Sequence, residues 1–408
     1  MQLPKVIQAS YIDAFKGVAK EVWIIATIQL INRSGMMVLP FLALYLTEAL
    51  DWTEAMAATA GFAFGAGGFL SSYIGGWLLD RMPSFKLMLW SLILGGISFM
   101  ILLFIESFYL FVFWIFITTT LADLLRPAAM GAVAEFSEES NLARSISLLR
   151  LAINLGIAVG PAIGGFLIAF VGYKSIFIVD GLTCILAGMF LFFNFRDKLN
   201  MRSKNQECAA SSDTPRVSAY SDPMFLLFLF FNMIMLCMFF QILHTVPLFF
   251  RNVYQLSEFE IGLFFMMNGL LIFATEMPII FALEKKKESY RPMVVGALLI
   301  GVSFGFLILE FHWVWISIIL YNLITSFGEI INFPFISTLS ILRSKPENKG
   351  SYIGLMSMMF SLAFMLSPLL FMPFIDVLGY RNIWTMCMVS CLVSGVALHL
   401  LKPKFEHN

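Results

Sequence analysis

Twelve apolar stretches alternate with short polar segments along the chain. Each is about the 20 residues that a helix needs to cross a hydrocarbon core of roughly 30 Å. In the first half they begin near Val22, Met56, Leu87, Tyr109, Ser145 and Ser175; in the second they begin near Met224, Ile261, Pro292, Val314, Ile353 and Ile383. The expectation is an all-α integral membrane protein of twelve transmembrane helices, with short loops and no room for a soluble catalytic domain. Between Arg196 and Asp222 the pattern gives way to RDKLNMRSKNQECAASSDTPRVSAYSD, a polar run with a Ser-rich middle and no apolar periodicity. It divides the chain into a first six-helix bundle (1–195), a linker (196–222) and a second six-helix bundle (223–408). The two halves echo each other weakly: the second span ends in Asp80, Arg81 and Lys86, the eighth in Glu284, Lys285, Lys286 and Lys287.

Composition agrees, with 60% hydrophobic and 13% charged residues against roughly 45–50% and about 25% in soluble domains. Basic residues accumulate on the cytoplasmic side of membrane proteins. With both termini inside, the inner segments hold 20 Lys and Arg and the outer loops three, Lys174, Arg251 and Arg381. The expected location is the cytoplasmic (inner) membrane with both termini cytoplasmic. Residues 1–21 lack the form of a secretory signal, and Ile7 to Val18 could lie as a helix on the membrane surface. The five cysteines, Cys184, Cys208, Cys237, Cys387 and Cys391, fall in spans or on the inner side, where disulfides rarely persist. Cys387 and Cys391 share a helix face, and their reading is structural. Zero net charge carries little information, since it averages a neutral membrane body with basic inner loops, and no nucleic-acid partner is implied.

Ionisable residues inside the spans carry the chemistry. Arg33, Arg126, Asp180, Glu276 and Glu329 interrupt apolar windows, where an ionised group costs on the order of 3 kcal/mol. Several such residues in one chain point to an internal pathway, and so to a transporter. A proton-coupled carrier needs an acid or a histidine whose protonation changes as access alternates. Glu329 is the first candidate, after the flexible Ser326, Phe327, Gly328 run; Glu276, before Pro278, is the second. Asp123 lies one helical turn from Arg126, a spacing that also fits an intrahelical pair. His244 could titrate near neutrality. Arg33 and Arg126 are candidates for an anionic substrate group or an acidic partner, whereas Asp180 and Arg150 lie nearer helix ends and read as structural. Gln29, Asn32, Gln241 and Asn332 are polar candidates for substrate contact, amid 44 phenylalanines and 25 methionines. Soft aromatic and thioether surfaces suit amphiphilic ligands, although in any membrane bundle they chiefly pack.

The loop after the second span reads GGWLLDRMPSFK, from Gly75 to Lys86. It resembles the G-x-x-x-D-R-x-G-R-R/K pattern of the major facilitator superfamily through Gly76, Asp80 and Arg81, and departs from it at Pro83, Ser84 and Phe85. The resemblance implies the major facilitator fold, with a gate lock at these residues. In the fifth span, NLGIAVGPAIGGFL holds Gly156, Gly160, Pro161, Gly164 and Gly165 in the G-x-x-x-G-P-x-x-G-G arrangement of that superfamily's proton-exchanging exporters. Glycines four apart permit close helix approach, and the proline bends the helix. Other fragments are similar to the proton-dependent oligopeptide transporters of the same superfamily: Arg126 before Pro127, QLINRSGMM from Gln29 to Met37, INLG from Ile153 to Gly156, and GEIINFP from Gly328 to Pro334. The glutamates that this branch carries in its first span are replaced here by Gln29 and Asn32.

The expected activity is proton-coupled secondary transport of a small organic solute by alternating access, with export of an amphiphilic compound favoured. A proton-coupled importer of peptides or amino acids is the alternative, and a receptor that no longer transports is a third reading. No HExxH, GxxxxGK[ST] or GxSxG motif is present, which disfavours an enzyme or an ATP-driven pump. The expected partners are a small molecule, protons and the lipid bilayer around a monomer, with no cofactor and no metal.

Overall fold

The computed structural model describes residues 13, 15–198, 219–286, 288–309 and 314–406, and no strand occurs among them. Most of the expected linker, residues 199–218 with Cys208, lies outside the described residues, as does most of Ile7–Val18. The helices of the first half are α1a (Lys20–Ser34), α1b (Val38–Leu44), α2 (Glu54–Leu79), α3 (Ser84–Ile101), α4a (Phe108–Ala122), α4b (Leu125–Glu135), α5 (Leu142–Val171) and α6 (Ser175–Phe195). Those of the second half are α7a (Pro223–Phe239), α7b (Thr245–Asn252), α8 (Glu258–Glu284), α9 (Tyr290–Ile308), α10 (Val314–Arg343), α11 (Lys349–Phe371) and α12 (Tyr380–Glu406). Helices begin a few residues before the apolar windows because their first turns carry polar caps. Asp222 accepts from the Phe225 amide, Thr53 from Met56, and Ser257 forms a capping box with Glu260.

Among the described residues, eleven helical segments are long and apolar enough to cross a bilayer. The twelfth, first in the chain, falls short because it is broken. α1a stops at Ser34, and the chain resumes helically at Val38 as α1b, followed by a wider π turn over Tyr45–Ala49. Amides freed at such a break have no water to bond inside a membrane and need an internal acceptor. Asp180 of α6 supplies it: its two carboxylate oxygens accept from the amides of Met37 (2.9 Å) and Val38 (3.0 Å). The seventh span breaks at a corresponding place, with α7a ending at Phe239 and α7b starting at Thr245. Val-Leu-Pro opens α1b and Thr-Val-Pro opens α7b, so each restart places proline in the first helical turn, where its missing N–H costs little. This matched pair of breaks is a stronger echo between the halves than the basic loops.

In the first bundle α1a packs on α5 and α6, α3 on α6, and α2 on α4a; in the second, α9 packs on α10 and α12, α7a on α12, and α8 on α10. The bundles meet where α2 lies on α11 and α5 on α8 and α10. Most Lys and Arg loops lie at one end of the molecule, the basic end. There Asp222 is held by a bidentate Arg343 (2.7 and 2.9 Å) and by the Tyr352 hydroxyl (2.8 Å), and Arg343 also donates to the Phe405 carbonyl (2.7 Å). Burial pushes the Asp222 carboxyl upward, but these donors together outweigh it and hold the group below the usual aspartate range. A depressed folded-state pKa stabilises above the unfolded value of about 3.9 and is lost as pH falls through the lower, folded value. Thermal unfolding in detergent is therefore expected to lose stability below about pH 4, and Asp222→Asn to flatten that part of the profile. An unchanged acid limb in the variant would show that other carboxylates carry it.

Candidate functional site

Three contacts between the bundles at the basic end bring this end together. Gly76 of α2 faces α11 so closely that a Cβ there would sit 2.6 Å from the Gly354 Cα and 2.7 Å from the Gly350 carbonyl oxygen. One turn on, Asp80 accepts from the amides of Gly350 (2.7 Å) and Ser351 (2.9 Å), so its charge meets the positive N-terminus of α11. Arg144 at the start of α5 forms an ion pair with Glu284 at the end of α8, and its amide donates to the same carboxylate at 2.9 Å. Arg81 does not extend to α11. It folds back to donate to the Trp77 carbonyl (2.9 Å) and lies 4.0 Å over the Trp77 ring, so Asp80 reaches α11 while Arg81 stays on its own helix.

The same faces part toward the other end. Gly61, Gly65, Ser72 and Gly76 recur at helical spacing along one side of α2; yet no neighbouring atom comes within 4 Å of a Cβ built at Gly61 or Gly65. Gly262, Gly269 and Glu276 recur every seven residues on α8, and Gly262 and Gly269 likewise face open space. The bundles form a V, closed at the basic end and splayed at the opposite one.

At the floor of the V lies Arg150 of α5, about 12 Å in from the start of that helix at 1.5 Å per residue. Its guanidinium reaches across to two carboxylates of the second bundle, Glu276 of α8 (3.2 Å) and Glu329 of α10 (3.0 Å), and lies 4.9 Å over the Phe333 ring. The Glu329 contact is an aligned hydrogen bond. The Glu276 contact is looser: Nε of Arg150 and both oxygens of Glu276 lack an aligned partner, Ser147 of α5 also lies beside the carboxylate, and Glu276 is 0% exposed. Asn268 and Ser326, bonded to each other at 2.8 Å, border the Glu329 side.

A second cluster belongs to the first bundle. Arg33, at the end of α1a, lies 3.8 Å from Asp123 and donates to the Met36 sulfur (3.1 Å). Asp123 sits in the short turn between α4a and α4b, against α2 at Gly68, where a Cβ would come within 2.9 Å of its carboxylate. The expected side-chain pair between Asp123 and Arg126 does not form. That turn aims the carboxylate at Arg33, and Arg126 instead donates to Ser361 of α11 (3.2 Å), keeping only its backbone N–H on the Asp123 carbonyl (3.0 Å).

Gly156, Gly160 and Gly164 of α5 carry the break of the first span. A Cβ at Gly156 would stand 2.6 Å from the Arg33 Cβ, one at Gly160 3.3 Å from three carbonyl oxygens of residues 33, 34 and 36, and one at Gly164 2.9 Å from the Phe41 ring. Gly165 is looser, at 3.7 Å from the same ring, and Pro161 sits inside α5. Small residues here let the broken helix approach α5.

Two closely packed halves, broken first and seventh spans, charged residues at the meeting of the bundles and a V-shaped opening define the architecture. A family model described as Major Facilitator Superfamily matches residues 22–368, and again residues 289–408. The chain belongs to the Major Facilitator Superfamily. As a member it is a transporter of small molecules and not an enzyme. It is 24% identical over 78% of its length, and 77% of the relative's, to the uncharacterized MFS-type transporter YqjV of Bacillus subtilis (strain 168). It is also 24% identical over 44% of its length, and 45% of the relative's, to a multi-drug resistance efflux pump PmrA homolog of Lactococcus lactis subsp. lactis (strain IL1403). Its fold matches the human organic anion transporter MFSD10 (TETRAN) with a TM-score of 0.74 at 16% identity, covering 93% of this chain and all of that one.

Within this superfamily fold the structure sorts the expected site residues. Glu276 and Glu329 come together, and Arg33, Asp123 and Arg126 come together. Gln241 and Asn332 fit substrate contact poorly. The Gln241 amide group bonds the Cys237 and Ser367 carbonyls and receives Thr245, bracing the α7 break, and Asn332 donates to the Met293 carbonyl (2.6 Å) between α9 and α10. Asn32 donates to the Cys184 sulfur (3.2 Å), and Gln29 is buried with its carbonyl oxygen unpartnered. His244, in the α7 turn, lies against the Phe364 ring, 5.5 Å between centroids, and joins neither charged cluster. Arg150 is the residue that sequence reasoning set aside. Its depth in α5 was countable, but its partners stand 126 and 179 residues away in sequence.

Proposed function

We propose that the chain is a proton-coupled exporter of amphiphilic compounds, acting as a monomer in the cytoplasmic membrane with the basic end and both termini cytoplasmic. The observation that carries this reading is one guanidinium held between two carboxylates across the bundle interface. With both acids ionised, the Arg150 cluster holds one uncompensated negative charge in a buried place, which costs several kcal/mol. A proton on Glu276 or Glu329 removes that charge. The same acids hold the second bundle to α5, so proton occupancy and bundle separation act on one set of bonds. Asp80 and the facing pair Gly76 and Gly354 form the cytoplasmic gate in this reading, with Arg81 anchoring α2 and Gly156, Gly160, Pro161, Gly164 and Gly165 the packing seam on which the broken first span moves. Export is supported by that glycine pattern and by likeness to a relative named as an efflux pump.

The test is transport in proteoliposomes with an imposed pH gradient, using a fluorescent amphiphile such as rhodamine B while internal pH is followed. Proton movement opposite to the dye is expected. Glu276→Gln and Glu329→Gln should each abolish pH-driven accumulation while retaining dye–dye exchange across the membrane. Gradient-driven transport surviving in both variants would refute the coupling role, and proton entry in the same direction as solute would make the protein an importer.

A further inference from the structure

The outer faces of α3 and α6 end alike at the basic end. On α3, Lys86, Leu89, Trp90 and Ile93 recur at helical spacing; on α6, Met189, Phe192, Phe193 and Arg196 do so in the opposite direction, because the two helices run antiparallel. The apolar members of both sets line a groove of about 360 Å³ between the helices. Gly188 sets its floor: a Cβ there would come within 2.8 Å of the Ile93 Cδ1 and 3.3 Å of the Leu92 Cβ. The backbones close up at that point, while Trp90, Met189, Phe192 and Phe193 stand exposed on either side. Above them Lys86 and Arg196 are exposed as well. Among the described residues neither forms an ion pair, whereas the nearby Lys198 is taken by Glu21 at 2.6 Å.

The depth of the groove says what fills it. Its lining lies three to eight residues from the two cations, about 4.5–12 Å at 1.5 Å per residue. A headgroup layer is roughly 5–8 Å thick, half the difference between a bilayer of about 40–45 Å and its hydrocarbon core of about 30 Å. The groove therefore starts where acyl chains start, with the cations at the level of the phosphates and the Trp90 indole at the boundary that such rings favour. We propose that this groove is a binding site for an anionic phospholipid of the leaflet at the basic end, with one acyl chain lodged between Trp90 and Phe192 and the headgroup phosphate held by Lys86 and Arg196. A zwitterionic lipid brings the same chain, but its own ammonium group offsets its phosphate, so the two cations select against it. The site lies on the lipid-facing side of the first bundle, and its occupation is independent of the direction and coupling of transport.

The test offers the purified full-length protein in dodecyl maltoside an equimolar mixture of phosphatidylglycerol and phosphatidylcholine with identical chains, and counts the lipids retained by native mass spectrometry. The wild type should favour phosphatidylglycerol by about 5- to 30-fold, at about five-fold for each cation near a membrane surface. Lys86→Gln combined with Arg196→Gln should bring the ratio to about one. Lys285→Gln combined with Lys286→Gln, at the same end but on the second bundle, should leave it unchanged. Met189→Trp fills the groove and should cut retention of phosphatidylglycerol by at least about 10-fold, the scale of a few lost methylene contacts. Glycerol phosphate, which has the headgroup charge without the chains, should not displace the bound lipid. All four cations and Met189 are exposed, and thermal unfolding without added lipid checks that each variant is folded. Equal retention of the two lipids by the wild type, or a preference that survives Lys86→Gln with Arg196→Gln, would overturn the proposal. An equal collapse in Lys285→Gln with Lys286→Gln would overturn it in favour of diffuse charge at this end, and full retention in Met189→Trp or displacement by glycerol phosphate would remove the groove from it.

Discussion

Arg150→Gln is expected to destabilise the protein by about 3–5 kcal/mol and to abolish transport, because it strands two buried carboxylates without their cation. The glutamine amide is neutral and cannot offset the charge of Glu276, which is fully buried and has no other cation beside it among the described residues. Thermal unfolding in detergent reads the stability. The triple variant Arg150→Gln, Glu276→Gln, Glu329→Gln should recover most of the lost stability, since removing all the charges of a buried group is far milder than removing one partner. It should still lack pH-driven transport. A melting temperature for Arg150→Gln equal to that of the wild type would mean that water already screens the cluster, and the charge argument would fail.

The second large effect is steric. Gly76→Val places a branched side chain where even a Cβ would lie 2.6 Å from the Gly354 backbone. Neither glycine backbone can yield as a flexible side chain would, so the closed basic end is penalised by at least the 1–3 kcal/mol typical of overpacking, about a 5- to 150-fold shift in the equilibrium between closed and open basic ends. Spin labels at the exposed Lys86 and Arg291, one on each bundle near this end, should report a majority of longer distances in the variant. Gly76→Ala should give a smaller displacement in the same direction. Unchanged distances in the valine variant would show that α2 and α11 can separate without opening this end.

Much of this architecture was open to reading from hydropathy, because a bilayer imposes a length and an apolarity on each span independently of every other. Each helix begins within about four residues of its apolar window. The first span was the exception: Gly35, Met36 and Met37 look like continuous apolar sequence, and the chain breaks there because Asp180, more than 140 residues later, receives the freed amides. The glycine pattern of the fifth span was visible as a helix contact, but not that its partner is the broken end of the first span. Local spacing misled at Asp123, where a turn between α4a and α4b sends the carboxylate to another helix.

The sequence by itself marked twelve apolar spans, against eleven long enough among the described residues, together with the polar run between two sets of six, the uneven distribution of basic loops and the ionisable residues inside apolar windows, since each follows from composition and local period. Only the tertiary structure decided which charges meet. Arg150 finds Glu276 and Glu329, Arg33 finds Asp123, and the basic end closes around Asp80 and Gly76 because helices distant in the chain are packed side by side. Such pairings are set by the docking of whole helices, which leaves no periodic mark in the sequence of either partner.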